Sequence, residues 1–176
     1  MIVVLSGPGG AGKGTIARLL VEGDPSLVLS VSWTTRSRRD DDIEEAYVFV
    51  KPEIFKKRLS EGGFLEYNEF LGHFYGTPIQ DLDDNKDLLL EIDVTGGHQV
   101  LQSDPSALCV FVDAPNTELK RRLLERGDSL EHVEERLVEA ERERKEAAAL
   151  GYQFVINSDI EETRAVVAAL IASSRN

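Results

Sequence analysis

Near its N-terminus the chain reads Gly7-Pro8-Gly9-Gly10-Ala11-Gly12-Lys13-Gly14-Thr15. This stretch separates an apolar run, Ile2-Val3-Val4-Leu5, from Ile16-Ala17-Arg18-Leu19-Leu20, whose apolar spacing suits a helix. Gly7, four intervening residues, Gly12 and Lys13 fit a phosphate-binding loop, with Thr15 one place later than in the simplest form. The glycines let the backbone turn tightly and bring its N–H groups against phosphate oxygens, and the following helix N-terminus adds partial positive charge. Gly7, Gly9, Gly10, Ala11, Gly12, Lys13, Gly14 and Thr15 are therefore candidate contacts to ATP or another nucleoside triphosphate. Lys13 would reach the terminal phosphates, and Thr15 would offer its hydroxyl to Mg2+ as the metal ligand.

The loop implies a strand before it and a helix after it, and the rest of the chain continues that alternation. Strand-like apolar runs recur at 2–5, 27–31, 88–92, 108–112 and 154–156. Helix-like segments cover 15–22, 96–102, 116–126, 129–150 and 160–172. Short apolar strands alternating with helices predict an α/β fold with a five-stranded parallel sheet covered on both faces. Residues 32–80 break the pattern. Two segments rich in aromatic and β-branched residues, 46–50 and 64–74, flank a short helical stretch at 52–61. They predict a small, mostly-β insertion placed to hold a second substrate. The core then comprises 1–31 and 81–176.

From Asn116 to Leu150 the chain is helical and highly charged. Asn116 is a candidate N-cap, with Leu119, Leu123 and Leu124 as an apolar stripe, and Ser129 can cap a second helix after Gly127-Asp128. Glu134, Glu135, Glu139, Glu141, Arg142, Glu143 and Arg144 leave that second helix little apolar surface. A helical lid over about 122–145, jointed at Gly127, is expected.

The formal net charge of −12 argues against nonspecific nucleic-acid binding. In so acidic a chain, arginine clusters that could gather phosphate stand out: Arg36-Ser37-Arg38-Arg39, and Arg121-Arg122 with Arg126 and Arg136. The single cysteine, Cys109, lies in an apolar run and reads as a small buried hydrophobe. No apolar run is long enough for a membrane span and no signal peptide is evident, so a cytoplasmic location and no membrane partner are expected. His73, His98 and His132 are expected at the surface without a catalytic role.

The loop, Ser30-Val31-Ser32-Trp33-Thr34-Thr35-Arg36-Ser37-Arg38-Arg39, the stretch from Phe64 to Pro78, the segment Leu88–Gly97 and Leu119–Gly127 occur in the order found in guanylate kinases. The resemblance spans nearly the whole chain, and the second and third stretches are far more specific than the loop. It implies ATP-dependent phosphorylation of GMP to GDP. Ser32, Glu66, Thr77 and Asp93 would face guanine. Arg36, Arg39, Tyr47 and Tyr75 would hold the GMP phosphate. Glu91 joins the candidate GMP-binding set beside Asp93. Lys13, Arg122, Arg126 and Arg136 would serve the transferring phosphoryl group, and Asn157 would lie near adenine. A monomer or weak homodimer is expected.

Residue chemistry agrees. Guanine presents a ring N–H beside an amino group, two donors that suit an acceptor-only carboxylate such as Glu66 or Asp93. Arginine forks match phosphate oxygens, and tyrosine hydroxyls complete the shell without adding charge. There are departures from the family pattern. The Arg39–Tyr47 spacing is one residue short, with Asp41-Asp42 and Ala46-Tyr47 where Gly-Glu and Asp-Tyr pairs are usual. Trp33 stands where a small or polar residue is commoner, Glu91 and Thr95 replace Asp and Gln, and Arg126 to Arg136 is one residue short. A kinase acting on another phosphate-bearing acceptor, of ribose bisphosphate type, is the nearest alternative. An inert guanylate kinase-like interaction module is a second, although it would need neither Lys13 nor the lid arginines. A GTP-hydrolysing switch would show an Asn-Lys-x-Asp stretch, which the chain lacks.

Overall fold

In the computed structural model, which describes residues 1–38, 47–80 and 85–175, the chain folds as two compact units. One comprises Met1–Leu29 with Asn85–Asn176, the other Ser30–Asp84. In chain order the elements are β1 (Ile2–Ser6), α1 (Lys13–Gly23), β2 (Leu27–Leu29), β3 (Ser32–Thr34), β4 (Tyr47–Phe49), α2 (Pro52–Ser60), β5 (Phe64–Phe70) and β6 (His73–Pro78). They continue with β7 (Asp87–Glu91), α3 (Val94–Ser103), β8 (Leu108–Asp113), α4 (Asn116–Glu125), α5 (Leu130–Ala149), β9 (Gln153–Ile156) and α6 (Ile160–Ser174).

The larger unit is built on a five-stranded sheet in the order β2-β7-β1-β8-β9, every neighbour pair parallel. Because side chains alternate across a strand, Val3, Leu5, Leu89, Val110 and Val112 share one face. There they form a core cluster with Ile16, Ala17 and Leu20 of α1 and Val167 and Ile171 of α6. Val4, Leu90, Cys109 and Phe111 occupy the opposite face and are buried. Burial on both faces explains why these strands read as unbroken apolar runs. Gly97 of α3 permits a close approach on that second face, since a Cβ there would stand 1.8 Å from Tyr152 Oη and 3.1 Å from Val4 Cγ1.

The smaller unit is a four-stranded mixed sheet, β4-β3-β6-β5, carrying α2. Its first pair is parallel and the other two are antiparallel. Phe55 of α2 is fully buried and stacks on Phe64 and Phe74, with ring centroids 4.5 and 5.5 Å away.

The β-rich segment 64–74 is a hairpin: β5 turns into β6 at Leu71 (φ 49°) and Gly72 (φ 75°), two left-handed residues that match the twist of a tight hairpin. Two expectations are corrected. β2 ends at Leu29, where the chain leaves one unit for the other. Asn116 does not cap α4. Pro115 occupies that position, and the Asn116 amide instead donates to Glu141 and accepts from Arg144. Ser129 does cap α5, its hydroxyl accepting from the His132 N–H.

Candidate active site

The loop between β1 and α1 is held in shape from behind. Gly12 takes φ 93° at the N-cap of α1, a conformation that glycine alone adopts cheaply. Side chains engage the loop carbonyls in turn. The Lys13 ammonium donates to Gly7 O and Pro8 O, Arg122 Nη1 to Gly10 O at 3.3 Å, and Asn157 Nδ2 to Ala11 O at 2.7 Å. Asn157 is itself buried and accepts from the Thr163 hydroxyl at 3.1 Å. Gly9 and Gly14 are approached by charge. A Cβ on Gly9 would meet Arg136 Nη1 at 2.8 Å, and one on Gly14 would meet Glu91 Oε2 at 3.3 Å. Thr15 lies exposed one residue beyond Gly14.

The three expected phosphoryl-transfer arginines each have a carboxylate beside them. Arg122 Nε donates to Glu118 at 2.7 Å, and hydrogen bonds from Arg121 and Arg122 hold the Glu118 carboxyl down at about 2. Arg126 donates through Nε and Nη2 to Asp128 Oδ2 at 2.9 and 2.5 Å, and Arg136 Nε stands 3.7 Å from Asp128 Oδ1. Arg121 is spent on exposed pairs with Glu118 and Glu125.

Glu143 departs from the expected solvated helix face, because it is buried. Burial pushes its carboxyl up to about 7, Lys13 opposing the rise and Asp93 and Glu139 adding to it. The Glu91 carboxyl is also raised by burial against the pull of Lys13. Asp93 caps α3, its side chain accepting from the Gly96 N–H at 2.7 Å.

In the smaller unit, strand register sorts the side chains. Ser32 pairs with Tyr47, Thr34 with Tyr75, and Glu66 with Thr77, so all six lie on one sheet face with Asn68. The opposite face carries Trp33, Phe74 and Gly76, packed towards Phe55 and Phe64. On the first face Glu66 is 4% exposed and accepts from the Thr77 N–H at 2.9 Å. The Thr77 hydroxyl is buried with no hydrogen-bond partner among the described residues. At the other end of this face, Arg36 is buried with its guanidinium over the Tyr47 and Phe49 rings, 5.3 and 5.5 Å from their centroids. The Tyr47 and Tyr75 rings stand edge to face at 6.2 Å.

A glycine-rich loop with Arg122 and Arg136 against it in one unit, and a polar, arginine-bearing sheet face in the other, fit a kinase with two nucleotide substrates. Comparison with known proteins decides which. The guanylate kinase family model matches residues 1–174. The chain belongs to the guanylate kinase family. It is 40% identical over 168 residues to a guanylate kinase of Synechocystis sp., covering 92% of this chain and 87% of that protein. It is 41% identical over 169 residues to a guanylate kinase of Thermosynechococcus vestitus, covering 92% and 88%. The crystal structure of guanylate kinase from Anaplasma phagocytophilum superimposes with a TM-score of 0.80 at 32% identity, covering 98% of this chain and 85% of that one.

The departures from the guanylate kinase pattern fall into place unevenly. Trp33 lies on the apolar face of its sheet, edge to face with Phe64 at 5.9 Å and beneath the Arg58 guanidinium at 4.6 Å. Its bulk is absorbed there, away from Ser32 and Thr77. Glu91, expected among the GMP residues, lies beside Gly14 of the phosphate loop. Arg39 and the shortened stretch that follows, 40–46, lie outside the described residues. His98 and His132 are exposed and His73 half-buried. Asp128, Glu118 and Glu143 were missed by sequence reasoning, which saw a charged helix pair without knowing which carboxylates turn inward. The i and i+4 spacing of Glu118 and Arg122 was the one available signal.

Proposed function

We propose that this guanylate kinase transfers the γ-phosphoryl group of ATP in line to GMP, giving ADP and GDP. The observation that carries the acceptor assignment is the polar face of the smaller unit's sheet, which gathers Ser32, Tyr47, Glu66, Tyr75 and Thr77 in register, with the Arg36 guanidinium over the Tyr47 ring. Among the described residues the buried Thr77 hydroxyl has no hydrogen-bond partner, and a buried polar group is costly unless something completes it. Guanine does so. Its N–H and amino group donate to Glu66, and Thr77 donates to its carbonyl, with Ser32 completing the base contacts on this face. Adenine offers an acceptor where Glu66 needs donors, and a site of this kind rejects the wrong partner by ~10⁴-fold or more. Arg36 and Arg39, with Tyr47 and Tyr75, hold the monophosphate.

On the donor side the loop N–H groups cradle the triphosphate and Asn157 borders the adenine. Lys13, Arg122, Arg126 and Arg136 neutralise charge on the moving group. Such transfer needs positioning and electrostatic stabilisation more than covalent help. Among the described residues no group of three or more His, Cys, Asp or Glu could hold a metal ion unaided. The exposed Thr15 hydroxyl and the Glu91 carboxylate beside Gly14 are hard oxygen donors that suit Mg2+ together with phosphate oxygens and water. Mg2+ so held would supply positive charge that offsets the charge of the phosphate groups. The reaction runs without a histidine base.

A coupled assay offering ATP with GMP, AMP, CMP, UMP or ribose phosphates tests the reading. Turnover confined to GMP among these acceptors is expected. Equal or faster turnover with a ribose phosphate would refute the acceptor assignment.

A further inference from the structure

Asp128 stands between α4 and α5 in a loop whose backbone is fully engaged. Gly127 takes φ 94° and its N–H bonds to Leu124 O at 2.9 Å, while the Asp128 N–H closes α4 on Leu123 O at 3.1 Å. Ser129 then opens α5. The Asp128 carboxylate therefore has a fixed origin, and its side chain is only 12% exposed. One oxygen takes both Nε and Nη2 of Arg126 from α4, and the other faces Nε of Arg136 from α5. Arg136 is 10% exposed and extends past this contact until Nη1 stands against Gly9 of the phosphate loop.

We propose that Asp128 is a positioning residue for phosphoryl transfer, its one carboxylate gathering Arg126 and Arg136 and setting Arg136 over the phosphate loop. The proposal rests on the reading that these two arginines serve the moving phosphoryl group. Two guanidinium groups from different helices repel each other and each loses rotamer freedom on being fixed; a shared anion offsets both costs before substrate arrives. The contact with Arg136 is made through Nε, at the near end of the fork. That leaves the far end directed at the loop, as a positioning contact requires and a competing one would not. The rim of the ion pair is part-buried, so solvent does not screen it as it screens the Arg121 pairs.

The test compares Asp128→Asn and Asp128→Glu with wild type, alone and combined with Arg136→Ala. Steady-state kinetics are read together with melting temperature and the ¹⁵N signals of the arginine Nε–H groups. Asp128→Asn keeps the side-chain shape and loses the charge. Its kcat is expected to fall about tenfold or more, the scale of misplacing a reactive group, with KM for GMP within twofold of wild type and the melting temperature little changed. The Nε–H signal of Arg126, hydrogen-bonded to Asp128 at 2.9 Å, weakens in this variant, Asp128→Glu recovers part of the loss, and the effect shrinks when Arg136 is already alanine. Wild-type or raised kcat in Asp128→Asn overturns the proposal, as does an undiminished effect in the Arg136→Ala background or persistence of the Arg126 Nε–H signal. Should Arg136→Ala itself turn over normally, the role assigned to Arg136 fails and Asp128's role falls with it. An impaired Arg136→Ala beside a normal Asp128→Asn removes Asp128 alone.

Discussion

Arg144→Met breaks the strongest anchor between α5 and the parallel sheet. Arg144 donates through Nε and Nη2 to the two oxygens of Asp113, at 2.7 and 2.9 Å, from the last residue of β8. The remaining donors reach Ala114 O at 3.0 Å, Asn116 Oδ1 at 2.8 Å and Glu141 Oε1 at 2.6 Å. The pair is 19% and 10% exposed, and Asp113 raises the Arg144 guanidinium's affinity for its proton. Removing one partner of a buried pair costs about 3–5 kcal/mol, because the other charge stays buried. Asp113 keeps one donor, the Ala114 N–H at 2.8 Å, and solvent reaches Arg144, so the low end, about 3 kcal/mol, applies here. For a chain of 176 residues that lowers the melting temperature by about 6–12 °C. Methionine keeps the length and apolar stem, so the loss reports the charge. Far-UV circular dichroism is the natural probe, since five of the six helices belong to the larger unit. Adding Asp113→Asn removes the stranded carboxylate, and the double variant is expected to be more stable than the sum of the two single losses by about 1–3 kcal/mol. A loss below about 1 kcal/mol in Arg144→Met, the range of an exposed pair, would refute the reasoning; so would strict additivity.

Lys13→Ala is expected to lower kcat by about 10²–10³, the range for one preorganised donor at developing charge, while GMP binding measured by calorimetry is retained. Unchanged turnover would remove Lys13 from the mechanism. Glu66→Gln keeps an oxygen for the Thr77 N–H but loses the charge that guanine's donors seek, so KM for GMP should rise by roughly 10- to 150-fold, the equivalent of about 1.5–3 kcal/mol. KM for ATP should stay within threefold, and equal loss of both would reject the role. Glu143 makes stability fall with pH. Its folded value of about 7 lies above the ordinary 4.5, so between those values the folded chain holds the extra proton and loses stability as pH rises. Glu143→Gln abolishes that slope, and its stability relative to wild type should improve by up to about 3 kcal/mol from pH 4.5 to pH 8. Parallel denaturation midpoints for the two proteins across that range would show that Glu143 is not buried as described.

The α/β core was legible because strands buried on both faces read as unbroken apolar runs, while the helices between them keep a 3.6-residue apolar period. The five expected core strands and five expected core helices all occur, with ends shifted by a few residues. The 64–74 segment was harder to read, since its turn is Leu71-Gly72 and leucine is an uncommon left-handed residue that nothing in composition announces. Around Ser32, expected to face the base, alternation put Ser32 and Thr34 on one face and Trp33 on the other, so Trp33 could have been set apart from Ser32 by counting alone. Glu143 and Asp128 could not have been singled out. Among many glutamates on α5, which one turns inward is decided by where the helix rests on the sheet, and that information lies in residues distant along the chain.

Each loop carbonyl from Gly7, Pro8, Gly10 and Ala11 already has a side-chain donor on it, drawn from the loop itself, α4 and the end of β9. With these four carbonyls engaged by side chains and the Ala11 N–H bonded to Pro8 O at 3.1 Å, the loop's peptide planes are held, so an arriving triphosphate meets a receptacle shaped in advance. Little ordering remains for it to do, and the association should be fast and show only a small entropic penalty from the backbone. The loop's rigidity is thereby delegated to Asn157 and Arg122, so a change at either position, far along the chain, would reach the donor nucleotide as directly as a change in the glycines.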